Sequence, residues 1–136
     1  MAEGFARKYG PDVMQPASAG FAPASLVQPL TKKVMSAKNI DIEAQYPKSL
    51  DKLDLRGFDL IINMSGAKLP VERMPVEVRE WKVEDPIGKA EETYIAVRDQ
   101  IENEVMRLIL EFRKEARKAR SSSVLPKPSH HRIVKR

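Results

Sequence analysis

Three patterns along the chain predict an α/β fold with a short parallel sheet. Residues 58–64 form an almost continuous apolar run, which is typical of a parallel strand that is covered on both faces. Residues 76–83 alternate apolar and charged side chains, which indicates a strand with one buried face. Apolar side chains recur at helical spacing from Tyr94 to Phe112 and predict an amphipathic helix. Strands that alternate with helices favour parallel pairing through βαβ crossovers.

Two helices and a strand are predicted in the first part of the chain. Apolar residues recur at helical spacing over 1–9, and Gly10 and Pro11 end that pattern. Residues 13–19 predict a strand, and Pro16 within it favours a position at the edge of the sheet or at the end of a strand. A second amphipathic helix is predicted between Pro23 and Asn39, beginning near Ser25 or Pro29.

The remaining elements are a single helical turn over 49–53, the strand over 58–64, the edge strand over 76–83 and the long helix. We expect the long helix to end near Lys118 or Arg120, because three serines and two prolines follow it. The predicted organisation is one domain over 1–119 and a basic, disordered tail over 120–136.

The positive charge of the chain is concentrated near its carboxyl end. The formal net charge is +5, and residues 113–136 contain nine Lys or Arg and one Glu, a net +8. Residues 1–112 therefore carry a net charge of −3 (+5 minus +8). Since the basic segment has no aromatic side chains to stack between bases, a solubilising extension is favoured over a nucleic-acid-binding segment.

Several classes of site are excluded by composition. The chain has no cysteine, which removes disulfides, thiolate metal sites and any cysteine nucleophile. Two adjacent histidines, His130 and His131, have no third ligand at useful spacing, so no metal site is predicted. No apolar run approaches the roughly 18 residues of a membrane helix, and the first residues lack a signal-peptide pattern. We therefore expect a soluble, cytoplasmic protein.

A set of motifs in a fixed order gives a more specific indication. Together they resemble the low-molecular-weight protein tyrosine phosphatase family, which includes the thiol-coupled arsenate reductases. The resemblance covers residues 1–113. Its motifs are Met1-Ala2-Glu3-Gly4-Phe5-Ala6-Arg7-Lys8, Ser18-Ala19-Gly20, Asp59-Leu60-Ile61-Ile62-Asn63-Met64, Trp81-Lys82-Val83-Glu84-Asp85-Pro86, and the helix from Tyr94 to Arg113.

The resemblance implies a three-layer α/β sandwich of the phosphotyrosine protein phosphatase I type. In that family a first strand and a Cys-x-x-x-x-x-Arg-Ser phosphate loop precede the helix that opens like Met1-Ala2-Glu3, so we expect both to be missing here. The family's sheet order places this absent strand between the strands near 13–19 and 59–64. Either Met1 is an internal methionine, or the short form is genuine and catalytically dead. We favour the former, because loss of a central strand would leave two strand edges without partners. Each buried backbone group without a partner costs about 1–3 kcal/mol.

The resemblance also assigns candidate site residues. Asp85 corresponds to the family's general acid and base, and Ser18 to the serine that supports the phosphate loop; the nucleophile has no counterpart. The alternative role of Asp85 is a turn, since Asp before Pro is favoured in loops, and that of Ser18 is an ordinary strand-end hydroxyl. Ile87-Gly88 stands where mammalian members have aromatic residues, which puts phosphotyrosine specificity in doubt. Arsenate reductases that regenerate themselves internally use further cysteines after the strand that corresponds to 58–64. This chain has no such resolving cysteine at residues 64–68.

The implied function is hydrolysis of phosphate monoesters, chiefly phosphotyrosine, through a cysteinyl-phosphate intermediate and without a cofactor. Its partners would be a phosphorylated protein or a small phosphate monoester. Two alternatives stay open: an arsenate reductase that uses an external thiol, and an inactive remnant that acts as an interaction module. The neighbouring Glu84 is expected to be solvated and Trp81 to pack in the core.

Overall fold

Four strands and three α-helices form the part of the chain that the computed structural model describes. That part comprises residues 1–19, 29–43, 45, 54–66, 76–121 and 131–135. The elements, in chain order, are α1 (Ala2–Tyr9), β1 (Met14–Ser18), α2 (Pro29–Ser36), β2 (Leu60–Asn63), β3 (Glu77–Glu80), α3 (Glu91–Ser121) and β4 (His131–Lys135).

The four strands form one parallel sheet in the order β1-β4-β2-β3. β1 and β3 are the edge strands, as Pro16 and the alternating pattern of 76–83 predict. β2 is buried along its whole length, as its apolar sequence requires for an inner strand. The predicted α/β fold with a short parallel sheet is thus confirmed.

The strand β4 corrects two expectations. Residues 131–135 are not a disordered tail, and the position between β1 and β2 is not vacant. β4 fills it, with Pro16 opposite Ile133 on one side and Leu60 opposite Ile133 on the other. The physical reason is that two inner strand edges leave backbone N–H and C=O groups unpaired unless a third strand lies between them.

The helix α1 ends where the chain turns tightly against α3. The amide of Gly10 donates a hydrogen bond to the carbonyl oxygen of Ala6 (3.0 Å). A Cβ atom at Gly10 would lie 2.7 Å from Cγ1 of Ile109, which is closer than such carbon atoms approach. Glycine therefore both ends α1 and permits its contact with α3.

The long helix α3 confirms the predicted amphipathic pattern. Its buried residues are Tyr94, Val97, Ile101, Val105, Leu108, Ile109 and Phe112. No residue of α3 after Phe112 is buried as far as Arg120, yet the helix continues to Ser121, one residue beyond the predicted limit.

Polar contacts join the three helices at one point. The hydroxyl of Tyr9 donates to Oε2 of Glu102 (3.0 Å), and Nζ of Lys38 lies 3.1 Å from Oε1 of the same carboxylate. Burial and this hydrogen bond raise the pKa of Tyr9. Nζ of Lys8 donates to the carbonyl oxygen of Asn39 (2.9 Å), which lies just beyond α2. The end of α1 is thereby fixed to both other helices.

The main core lies on one face of the sheet. Buried side chains from all three α-helices meet Leu60 and Ile62 of β2 there, whereas Phe58 and Ile61 belong to a smaller, separate cluster. Trp81 packs against the main core, so its predicted packing role is confirmed. The expected sandwich also has a helical layer on the other face of the sheet, and the described residues do not test that expectation.

Two further expectations concern the region before β2 and the membrane. The helical turn predicted over 49–53 lies outside the described residues, but Leu55–Gly57 forms a short 3-10 helix whose N-cap, Asp54, accepts a hydrogen bond from the amide of Arg56. Among the helices described, none combines the length and apolar content needed to span a bilayer.

Replacing Ile109 with alanine should lower the free energy of unfolding by about 2–5 kcal/mol, because its side chain is fully buried between α1 and α3. Leu110→Ala is the matched control, since Leu110 is 57% exposed on the same helix and should change stability by less than about 0.5 kcal/mol. Urea unfolding followed by circular dichroism measures both. Equal effects of the two substitutions would contradict the observed orientation of α3.

Candidate functional site

The carboxyl edge of the sheet gathers the polar residues of the molecule's candidate site. β1 ends here at Ser18, β2 at Asn63 and β4 at Lys135. Lys135 is paired with Ser18 on one side and Ile62 on the other, so β4 ends at the centre of this edge. In parallel α/β sheets ligands bind outside the carboxyl ends of the strands.

Glu3 connects the first turn of α1 to this edge. Glu3 is only 6% exposed to solvent. Oε1 accepts a hydrogen bond from Oγ of Ser18 (2.6 Å), and Oε2 accepts one from Nε of Arg7 (2.9 Å). A buried carboxylate is stable only when hydrogen bonds and a counter-charge replace its water, and these two partners supply both. The first turn of a helix also favours a negative charge.

Arg7 extends this network to the edge strand. It lies four residues after Glu3, so both side chains are on one face of α1. Its second contact is a hydrogen bond from Nη2 to the carbonyl oxygen of Pro16 (2.9 Å). The guanidinium group therefore fixes α1 against β1 next to Ser18.

Ser18 is the last residue of β1, at the carboxyl end of that strand. Its hydroxyl donates to Glu3 and so braces the start of α1. Sequence analysis included Glu3 in a motif but gave it no role, because the two residues are far apart along the chain. Support of a phosphate loop by Ser18 remains a prediction.

Asn63 is a second site residue that sequence analysis missed. It is buried, and its Oδ1 accepts hydrogen bonds from the amide (3.0 Å) and the hydroxyl (2.6 Å) of Ser65. Its backbone oxygen accepts a bond from the amide of Trp81 (3.0 Å). The available signal was a lone amide near the end of an otherwise apolar strand. Asn63 thus shapes the turn after β2 and anchors the start of the loop that leads to Asp85.

Asp85 lies in the exposed loop between β3 and α3. Its Oδ1 accepts a hydrogen bond from the amide of Ile87 (3.1 Å). A second hydrogen bond, from the amide of Lys89 to the carbonyl oxygen of Pro86 (2.9 Å), closes the turn. Gly88 in this turn has φ of +78°, a conformation that favours glycine. The turn role of Asp85 is therefore present, and its role as general acid and base remains a prediction.

The remaining candidates have simple surroundings. Glu84 is exposed, so its predicted solvation is confirmed. Its Oε1 lies 3.5 Å from Nζ of Lys89. The side chains of His130 and His131 lie outside what the structure describes. Within the described ranges, no group of three or more acidic or histidine side chains is placed to hold a metal ion.

Comparison with protein families matches residues 1–119 to the model described as low molecular weight phosphotyrosine protein phosphatase. The chain is 33% identical over 112 residues to a glutaredoxin arsenate reductase from Synechocystis sp., covering 80% of this chain and 85% of that protein. It is 34% identical over 110 residues to an arsenate reductase from Bacillus cereus, covering 79% and 81%.

The solved structures that resemble this chain include two arsenate reductases. An arsenate reductase in the phosphate binding state has a TM-score of 0.74 at 30% identity, covering 82% of this chain and 86% of that chain. The arsenate reductase from Archaeoglobus fulgidus has a TM-score of 0.69 at 28% identity, covering 79% and 86%.

Replacing Glu3 with glutamine should lower the free energy of unfolding by about 1.5–3 kcal/mol, the range for hydrogen bonds to charged groups. Glutamine removes the charge that Arg7 faces and turns one acceptor into a donor. Glu111→Gln is the control, because Glu111 pairs with Arg79 at the surface, where such pairs contribute about 0–1 kcal/mol. Urea unfolding at neutral pH compares them. A Glu3→Gln chain as stable as the Glu111→Gln chain would show that the network does not stabilise the fold.

Proposed function

Because the chain belongs to the low molecular weight phosphotyrosine protein phosphatase family, we propose that it acts in the arsenate reductase branch of that family. In this proposal the carboxyl edge of the sheet, beside the start of α1, takes a tetrahedral oxyanion. The reducing thiols come from outside the 136 residues, which contain no cysteine.

The observation that carries this proposal is the set of relatives. Proteins named arsenate reductase match at 33–34% identity over most of their own length. They favour arsenate reduction over the phosphotyrosine hydrolysis that we first expected from the resemblance. The exposed Ile87 beside Pro86, in place of the aromatic residues of mammalian phosphatases, points in the same direction.

The proposed reaction balances with two external thiols. The sulfur of the first thiol bonds to arsenic while one arsenic–oxygen bond breaks, and Asp85 protonates the departing oxygen, which leaves as water. A second thiol then attacks that sulfur and forms a disulfide. The proton of the first thiol restores Asp85, and the proton of the second passes to an arsenite oxygen. The electron pair of the arsenic–sulfur bond stays on arsenic, so As(V) becomes As(III) while two thiols are oxidised.

We expect the full chain to form arsenite from arsenate when glutathione and glutaredoxin are present. Arsenite measured by chromatography, together with consumption of NADPH by glutathione reductase, reports this reaction. Glutathione and glutaredoxin without the chain provide the background rate. The same chain should release no phosphate from an aryl phosphate, since a cysteinyl-phosphate cannot form. Arsenite at the background rate would reject the proposal, and measurable phosphate release would restore the phosphatase interpretation.

Asp85→Asn tests the proton-transfer role without disturbing the turn. The amide oxygen of asparagine can still accept the hydrogen bond from Ile87, whereas the proton is no longer available. Arsenite formation should fall by about 10²–10⁴-fold, the usual contribution of general acid–base catalysis. Glu84→Gln, at the adjacent exposed position, should leave the rate unchanged. Equal rates for the Asp85→Asn and unaltered chains would remove Asp85 from the mechanism.

A second candidate is a non-catalytic module that binds partners through the same body. Two observations favour it: the chain lacks a nucleophile, and the turn hydrogen bond already accounts for the position of Asp85. Under this alternative, arsenate and phosphate raise the melting temperature by binding, but no arsenite accumulates in the coupled assay.

A further inference from the structure

The central strand of the sheet is supplied by the part of the chain farthest from its neighbours. β4 is the last described element, and it separates β1 from β2, which form no pairing with each other in the described sheet. Its register is fixed on both sides: Ala17 and Ile61 both lie opposite Val134. Without β4 the sheet would divide into a single strand and a pair.

The position between β1 and β2 therefore has a strong requirement for a strand. β2 is buried along its length, and buried backbone groups without partners cost about 1–3 kcal/mol each. This requirement is met by backbone hydrogen bonds, which do not depend on which molecule supplies the strand. We call this position, bounded by Met14–Ser18 and Leu60–Asn63, the acceptor slot.

β4 is attached to the domain by residues 113–130, which we call the arm. Phe112 is the last buried residue of α3 before Arg120, so the nine helical residues 113–121 extend about 13 Å past it. Residues 122–130 then separate α3 from β4 and can reach at most about 32 Å. This contour length sets the greatest distance at which β4 can lie from the end of α3, in its own chain or in a neighbouring molecule.

A second copy is the alternative source of the strand that the observed register fits, because it carries the same residues 131–135. Residues 113–136 carry a net +8 and residues 1–112 a net −3, so this basic segment is attracted to the acidic body of its own chain and to that of a second copy. Arg113, for example, pairs with Asp12 of its own chain (3.0 Å). The charges therefore accept either source of the strand and do not decide between them.

We propose that the acceptor slot also takes residues 131–135 of a second copy, which gives a dimer with two exchanged strands. Each slot then contains the same parallel ladder as in the single chain, so exchange sacrifices no pairing. The balance is set by concentration, because a tethered strand competes at an effective concentration in the millimolar range. This inference is independent of the proposed function, since it involves neither arsenate nor Asp85.

The absence of cysteine allows a direct test in the full chain. Two variants are prepared, one with Ala17→Cys and one with Val134→Cys, mixed at increasing concentration and oxidised. Residues 17 and 134 are Cα partners, which brings their Cα atoms within the roughly 4.4–6.8 Å that a disulfide spans. A disulfide between the two chains that depends on this register forms only if the strand of one enters the slot of the other.

The control replaces Val134→Cys with Ile133→Cys, whose Cα partner is Pro16 and not Ala17. We expect at least about 10-fold more cross-linked heterodimer for the in-register pair, because adjacent strand residues project to opposite faces. The yield should rise with protein concentration. Circular dichroism confirms that α3 is retained in each variant, so a failure to fold is recognised separately.

A double variant, Ala17→Cys with Val134→Cys in one chain, separates the two sources of the strand. At low concentration it should form a disulfide within one chain, and at high concentration a linked dimer should appear. Closure within one chain at every concentration, with no heterodimer above the control, would overturn the proposal. Sedimentation equilibrium of the unaltered chain provides an independent measurement, and a monomer up to millimolar concentration would also overturn it.

Discussion

Backbone hydrogen bonding at the centre of the sheet is the constraint on which the structure depends. β1 and β2 each present an inner edge, and β4 satisfies both. The two neighbours of β4 end in the polar residues of the candidate site, Ser18 and Asn63. The spacing of these two residues across the carboxyl edge is therefore set by the strand between them, although that strand comes from the other end of the chain.

Glu3 performs a corresponding role between the helical layer and the sheet. It accepts hydrogen bonds from Ser18 and Arg7, and Arg7 in turn binds the backbone of Pro16. A single buried carboxylate thus fixes the beginning of α1 relative to the end of β1. Because the start of a helix carries partial positive charge, this carboxylate is itself stabilised by the helix whose position it fixes.

Much of this fold follows from local sequence patterns. The spacing of apolar residues predicts α3, the apolar run predicts β2, and Pro16 predicts that β1 is an edge strand; each is found. The strand β4 could not be predicted in this way. Its five residues include two apolar ones among basic neighbours and follow a segment rich in serine and proline, a composition typical of a tail. Only the unpaired edges of two distant strands make it a strand.

In the candidate site, too, some residues could be predicted from the sequence and others could not. Asp85 and Ser18 were identified from the resemblance, since each falls within a short motif. The partnership of Ser18 with Glu3 was missed, because the spacing of residues within α1 does not indicate what the helix faces. Asp85 stayed ambiguous for a different reason: a turn before proline and a proton donor require the same residue at the same place.

The pairing of β1 with β4 also affects how the molecule reaches its folded state. Contacts between residues far apart in sequence require closure of a large loop, and domains dominated by such contacts fold slowly. Until 131–135 arrive, the unpaired inner edge of the apolar strand β2 is open to any extended segment in its surroundings. The sheet of this protein is therefore expected to consolidate late, which gives chaperones time to act and makes aggregation its principal kinetic hazard.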